Sequence, residues 1–101
     1  PLLKAGDISL DQMTHKVTKA DKEILLTHKE YSLLEYLMLN VDQVVTRTMI
    51  SEHVWNEDFD SFSNIIDVFV NNLRGKLEPD RKQEYICTVR GVGYILKTKV
   101  T

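Results

Sequence analysis

Residues 64–77 read Asn64-Ile65-Ile66-Asp67-Val68-Phe69-Val70-Asn71-Asn72-Leu73-Arg74-Gly75-Lys76-Leu77, and the period of this stretch decides the fold. At about 100° per residue, Ile66, Val70, Leu73 and Leu77 fall within roughly 60° of one another, a stripe that must face a core. Phe69 lies at the edge of that stripe. Asn64, Val68, Asn71, Asn72 and Gly75 fall on the opposite face, flanked by Arg74 on one side and Lys76 on the other. A helix is therefore expected from Ser63 or Asn64 to Leu77, and Pro79 stops it. The face opposite the core has a chemical reading. A side-chain amide can pair with an adenine edge through donor and acceptor together, an exposed valine can meet a thymine methyl, and flanking cations can meet phosphates on both sides of a major groove. The same face also suits a plain solvated surface, and the helix alone leaves both readings open.

Downstream, residues 84–88 and 94–98 read as strands around the turn Arg90-Gly91-Val92-Gly93, a β-hairpin. The glycines allow a tight backbone and leave the Arg90 side chain projecting. Such an arginine can enter a narrow, electronegative minor groove, or it can simply sit in solvent. Upstream, Thr46 caps a second helix with Ile50 and Val54 on its buried side and Trp55 at its end. Before it, Thr27 and Glu30 form the capping-box pattern of a first helix over residues 28–39, in which Tyr31, Leu34, Leu37 and Met38 recur at helical spacing. Earlier still, residues 6–10, 16–19 and 23–26 read as short strands of an antiparallel meander. Residues 56–63, acidic with two aromatics, read as a loop. The predicted class is α+β: strands, three helices, then a hairpin.

A chain of 101 residues has room for one domain, residues 1–101, and 43% apolar with 28% charged residues is the balance of a folded chain. The longest apolar runs are a few residues, so no membrane span is expected, and the opening Pro1-Leu2-Leu3-Lys4 lacks the stretch of a signal peptide. The single cysteine, Cys87, rules out an internal disulfide, fits a reducing compartment and reads as a buried structural thiol. Charge is uneven. Residues 1–65 hold six Lys+Arg against eleven Asp+Glu, net -5, and residues 66–101 hold seven against four, net +3. A basic C-terminal half points to an anionic partner there, nucleic acid included. Nothing points to an enzyme. Cys87 and His53 make a weak nucleophile pair, and His15, His28 and His53 lack partners at metal-ligand spacing. Glu57, Asp58 and Asp60 lack the glycine and distal glutamate of a calcium loop. No cofactor and no metal are expected.

Four runs carry a resemblance when taken in order: Thr27-His28-Lys29-Glu30-Tyr31-Ser32-Leu33-Leu34, Val54-Trp55, the helix of residues 64–77, and Thr88-Val89-Arg90-Gly91-Val92-Gly93-Tyr94. Together they resemble the C-terminal effector domain of OmpR/PhoB-family response regulators, over about residues 3–97. The resemblance implies a winged helix-turn-helix with an N-terminal four-stranded sheet, the fourth strand lying at residues 43–46 or 2–5. It implies that the third helix reads the major groove and the hairpin is the wing. On matching positions it places Arg90 in the minor groove and Asn72 and Val68 toward bases, and the helical wheel adds Asn64 and Asn71. Arg74, Thr88, Tyr94, Trp55 and Arg47 match phosphate-contacting positions, with Lys76 added from the wheel.

Further consequences follow from the resemblance alone. The loop residues Asn56, Glu57, Asp58, Phe59, Asp60 and Ser61 match a segment that contacts RNA polymerase in several members. The expected partners are double-stranded DNA carrying direct-repeat half-sites, a second copy of the chain on that DNA, RNA polymerase, and a cognate histidine kinase acting on a receiver domain. The receiver has no room in this chain, which reads as the output domain of a longer cytoplasmic regulator in a two-component phosphorelay. Family helices often carry Arg or His where this chain has Phe69, Asn71 and Asn72, so its base preference is its own. Gly75 is a further departure, costing about 1 kcal/mol relative to alanine inside a helix. The acidic pI of about 5.9 implies weak intrinsic DNA affinity that two adjacent copies reinforce. The serious rival is a winged-helix module that binds protein instead of DNA.

Overall fold

The computed structural model describes residues 1–56, 64–79 and 84–98. Strands β1 (Leu2–Ala5), β2 (Ile8–Asp11), β3 (Val17–Lys19) and β4 (Lys22–Ile24) form an antiparallel sheet in sequential order. Helix α1 (His28–Leu39) follows, then β5 (Val45–Thr46), α2 (Arg47–Ile50) running on as a π-helical turn (Ser51–Trp55), and α3 (Ile65–Leu77). The chain closes with β6 (Ile86–Val89) and β7 (Gly93–Leu96), and the second sheet has the order β5-β7-β6. Among the described residues no helix is long and apolar enough to cross a membrane.

Both segments considered for a fourth N-terminal strand are strands, but only Leu2–Ala5 joins the N-terminal sheet, pairing Leu2 with Asp11 through Ala5 with Ile8. Val45–Thr46 pairs instead with the C-terminal hairpin, Val45 opposite Tyr94 and Thr46 opposite Gly93. The expected strand over residues 23–26 stops at Ile24, and Leu25 is 78% exposed, because the chain must leave the sheet to reach the cap of α1. There the capping box is complete. Thr27 Oγ1 accepts the Glu30 N–H at 3.3 Å, and Glu30 Oε1 accepts the Thr27 N–H at 2.9 Å. The second helix departs from the single α-helix expected. After one α-helical turn it widens to π geometry, and Asn56 ends it in the left-handed region at φ 55°.

The core confirms the wheel of α3. Ile66, Val70, Leu73 and Leu77 are buried together with Tyr31, Leu33, Leu34, Leu37 and Met38 of α1 and with Ala5, Ile8, Leu10 and Val17 of the N-terminal sheet. Phe69 packs at the margin. Glu78 ends α3 at φ -132° and ψ 59°, outside the helical region that a following proline disfavours, and its buried carboxylate accepts N–H groups of Tyr85 and Ile86. Cys87 departs from the expected burial. It is half-exposed on β6, with Sγ 3.8 Å from the Glu84 carbonyl oxygen.

Two glycines separate a packing constraint from an unused position. A Cβ on Gly93 would lie 2.0 Å from the Val45 carbonyl oxygen and 2.8 Å from Thr46 Cα, both backbone, whereas a Cβ on Gly75 meets nothing within 4 Å. Gly93→Ala should therefore cost about 1–3 kcal/mol or more by prising β5 from β7, while Gly75→Ala should stabilise by about 1 kcal/mol through helix propensity. Thermal denaturation of the two variants checks this: a raised midpoint for Gly93→Ala or a lowered one for Gly75→Ala would contradict the packing described.

Candidate nucleic-acid interface

With its stripe buried, α3 leaves one face to solvent. Asn64, Val68, Asn71, Asn72 and Gly75 are all exposed on it, Val68 at 45%. Such a helix can enter a groove about 12 Å wide without disturbing the core behind it. Beside it stands the hairpin. Arg90 is exposed at the β6–β7 turn, where Gly91 takes φ +74°, a conformation that an L side chain resists, and the Val92 N–H donates to the Val89 carbonyl at 3.0 Å. Val92, 47% exposed, adds an apolar side chain to the tip that residue-type reasoning missed; its place between two glycines was the available signal.

Five of the expected phosphate-contacting residues occupy two places. Arg47, Arg74, Thr88 and Tyr94 converge. Tyr94 is 4% exposed, and the guanidinium carbons of Arg47 and Arg74 each lie 5.7 Å from its ring centroid. Arg74 is braced by β6: its Nη2 donates to Thr88 Oγ1 at 2.6 Å and its Nε to the Ile86 carbonyl at 3.1 Å, and its Nη1 donates to Asn71 Oδ1 at 3.3 Å. Asp67 Oδ1 accepts from Arg47 Nη2 at 2.9 Å, from Arg47 Nε at 3.2 Å and from the Tyr94 hydroxyl. Burial works to raise the Asp67 carboxyl, but the Tyr94 hydroxyl and Arg47 outweigh it and hold it below its ordinary value. The Tyr94 hydroxyl is pushed up, by burial first and by Asp67 second. Asp67 belongs to this cluster and was absent from the sequence-derived set, because its partners are 20 and 27 residues away.

Trp55 lies apart, half-buried at the end of the π turn, edge-on to Phe69 with centroids 5.1 Å apart and with the Lys29 ammonium 5.8 Å from its ring centre. Of the acidic loop, Asn56 is exposed, and Glu57, Asp58, Phe59, Asp60 and Ser61 lie outside the described residues.

Lys76 faces elsewhere. Its Nζ is 2.5 Å from Glu30 Oε1, the same oxygen that caps α1, so it ties α3 to α1. Burial raises the Glu30 carboxyl, while Lys76 and the Thr27 N–H together bring it below its ordinary value. The physical reason is that Glu30 is 4% exposed and needs a counter-charge.

Residues 21–96 match the family model described as transcriptional regulatory protein, C terminal. The protein named response regulator MprA of Mycolicibacterium vanbaalenii is 47% identical over 92 residues, which are 91% of this chain and 40% of that protein. The chain thus spans about two-fifths of the length of the curated relatives it matches. The DNA binding domain of CpxR from E. coli superposes with TM-score 0.86 at 32% identity, covering 96% of each chain. The Klebsiella pneumoniae RstA DNA-binding domain, solved in complex with the RstA box, gives TM-score 0.90 at 21% identity over 97% of this chain and 98% of that one.

If Lys76 serves as the counter-charge of Glu30, Lys76→Met should lower stability at neutral pH by about 1–2 kcal/mol, less than for a fully buried pair because the lysine side chain is 39% exposed. The sign with pH follows. A carboxyl held below its unfolded value contributes stability above that value and loses it as pH falls. The deficit of Lys76→Met against the wild type should therefore shrink as pH drops through the carboxylate range, which urea titrations at several pH values can measure.

Proposed function

The chain belongs to the family of C-terminal domains of transcriptional regulatory proteins, as an OmpR/PhoB-type winged-helix effector domain of response regulators, and from that premise we propose that it binds double-stranded DNA in a sequence-dependent manner to regulate transcription. The observation that carries the reading is the juxtaposition on one molecule of an exposed asparagine face on α3, an arginine pair over Tyr94, and an exposed arginine on a glycine hairpin. In this reading Asn64, Val68, Asn71 and Asn72 face base edges in the major groove, and Arg90 enters the flanking minor groove. Arg47, Arg74, Thr88 and Trp55 meet phosphates, and Tyr94 supports the two arginines from beneath. Lys76 is released from the phosphate set to its role as clamp on Glu30.

The relatives' greater length supports a wider setting. The chain is read as the non-enzymatic output domain of a cytoplasmic two-component regulator. A histidine kinase phosphorylates the receiver of the whole protein. Two copies then sit on direct-repeat half-sites, and the loop from Asn56 to Ser61 meets RNA polymerase. Half-site pairing suits a modest single-domain affinity, since a tethered second contact raises overall binding without any new chemistry.

The test is titration of the protein against mixed-sequence duplex DNA, and against a duplex selected from it, over a range of salt. Affinity should fall by about 0.9 log units per phosphate contact for each tenfold rise in salt; no measurable duplex binding at low salt would favour the protein-binding alternative. Among variants, Arg90→Ala should cost about 1–3 kcal/mol and relax preference for A·T pairs beside the half-site. Asn72→Ala should change which duplexes are preferred. Arg74→Ala mixes two effects, because it also removes the braces to Ile86 and Thr88, so its thermal midpoint must be read beside its affinity.

A further inference from the structure

The convergence on Tyr94 contains a carboxylate where a phosphate-binding surface would be expected to carry only positive charge. Asp67 is the third residue of α3, near the positive end of the helix dipole, and its side chain is 32% exposed. One oxygen, Oδ1, occupies both the Nε and the Nη2 of Arg47 and also receives the Tyr94 hydroxyl. Arg47, whose side chain is 45% exposed, thus has one edge of its guanidinium committed within the protein. A phosphate must approach the remaining donors or displace a carboxylate that two partners hold.

Resting on the DNA-binding reading above, we propose that Asp67 is a positioning residue and built-in counterion that sets specificity: it fixes Arg47 for one phosphate geometry and weakens its pull on phosphates placed elsewhere. Non-specific binding is almost wholly phosphate attraction, and the protein samples many registers there. A half-neutralised arginine contributes little to those registers. In the specific complex the base contacts of α3 hold one register, and a phosphate at the open edge of Arg47 meets a side chain already oriented. Asp67 therefore suppresses the wrong complexes more than the right one, a use of repulsion for discrimination. Its lowered carboxyl agrees with this, since a counterion must stay ionised.

Asp67→Asn keeps the size and an acceptor oxygen and removes the charge. Against mixed-sequence duplex it should bind about three- to tenfold tighter at low salt, with a salt slope steeper by about 0.9, while the affinity ratio between a selected duplex and the mixed pool falls. The same change in an Arg47→Gln background should produce no gain. Equal loss on both duplexes with a lowered thermal midpoint would mean that Asp67 only supports the fold, and an unchanged slope and ratio would reject the counterion role. A gain that persists in Arg47→Gln would reject the route through Arg47. Should Asp67→Asn not fold, Arg47→Gln alone decides. With its counterion retained, its loss should reduce the mixed-pool slope by well under 0.9, and a full unit of loss overturns the proposal. Wild-type protein that binds neither duplex at low salt removes the DNA reading, and this proposal with it, before any variant is compared.

Discussion

The backbones of β5 and β7 approach so closely that no side chain can stand at position 93. That approach fixes the geometry of everything around it. It lets Thr46 pair with Gly93 in the sheet while its hydroxyl, at 3.1 Å from the Met49 nitrogen, caps α2. One residue is both the end of a strand and the start of a helix. The next residue on one side is Arg47, and the next on the other is Tyr94, so the sheet register itself brings a guanidinium to a phenol ring. A residue larger than glycine at position 93 would disturb the second sheet, the entry to α2 and the arginine cluster together.

Around Tyr94 the electrostatics differ from those of an ordinary surface pair. An exposed ion pair such as Arg47–Asp67 contributes at most about 1 kcal/mol, because water screens it and two long side chains lose freedom. Here the acceptor oxygen is also tied to a buried hydroxyl, and the ring beneath is shared by two cations. The result is chiefly orientation, with stability secondary. Lys76 and Glu30 show the opposite case. That carboxylate is buried and already caps a helix, so the lysine's role is compensation of charge, and its position on α3 is set by α1. Two cations that look equivalent on a helical wheel thus serve different partners.

The sequence made local features plain and long-range pairings obscure, for a physical reason. Helix α1 announced itself through Thr27 and Glu30, and the buried stripe of α3 through its period, because both depend on residues within four positions of each other. The hairpin was marked by Gly91 and Gly93. By contrast, Leu2–Ala5 and Val45–Thr46 are too short to show alternation, and which sheet each joins depends on residues far along the chain. The π turn at Ser51–Trp55 has no compositional mark that separates it from α-helix. The Lys76 pairing was not legible because a wheel reports direction around one helix and not what stands opposite, here Glu30, 46 residues away. Asp67 was overlooked for the same cause. Cys87 was expected inside because it stands in a strand between Ile86 and Val89, and a strand segment does not reveal that one of its faces is only partly covered.

The acidic net charge of -2 is compatible with an anionic partner once distance is considered. At physiological salt a charge is felt over about 8 Å, so what a phosphate meets is the cluster in front of it and not the chain's total. Arg74 lies on α3 itself, Arg47 at the start of α2 and Arg90 on the turn between β6 and β7, whereas the clamp formed by Glu30 and Lys76 consumes one charge of each sign within the fold. Net charge also counts Asp67 as a simple subtraction, although its position makes it an adjustment to one arginine. Gly75 fits the same local logic. It lies in the middle of the exposed face with open space where a Cβ would be, so the protein's own packing gives no reason for it. On the proposed DNA-binding reading, that open space lets the backbone of α3 come close to a groove.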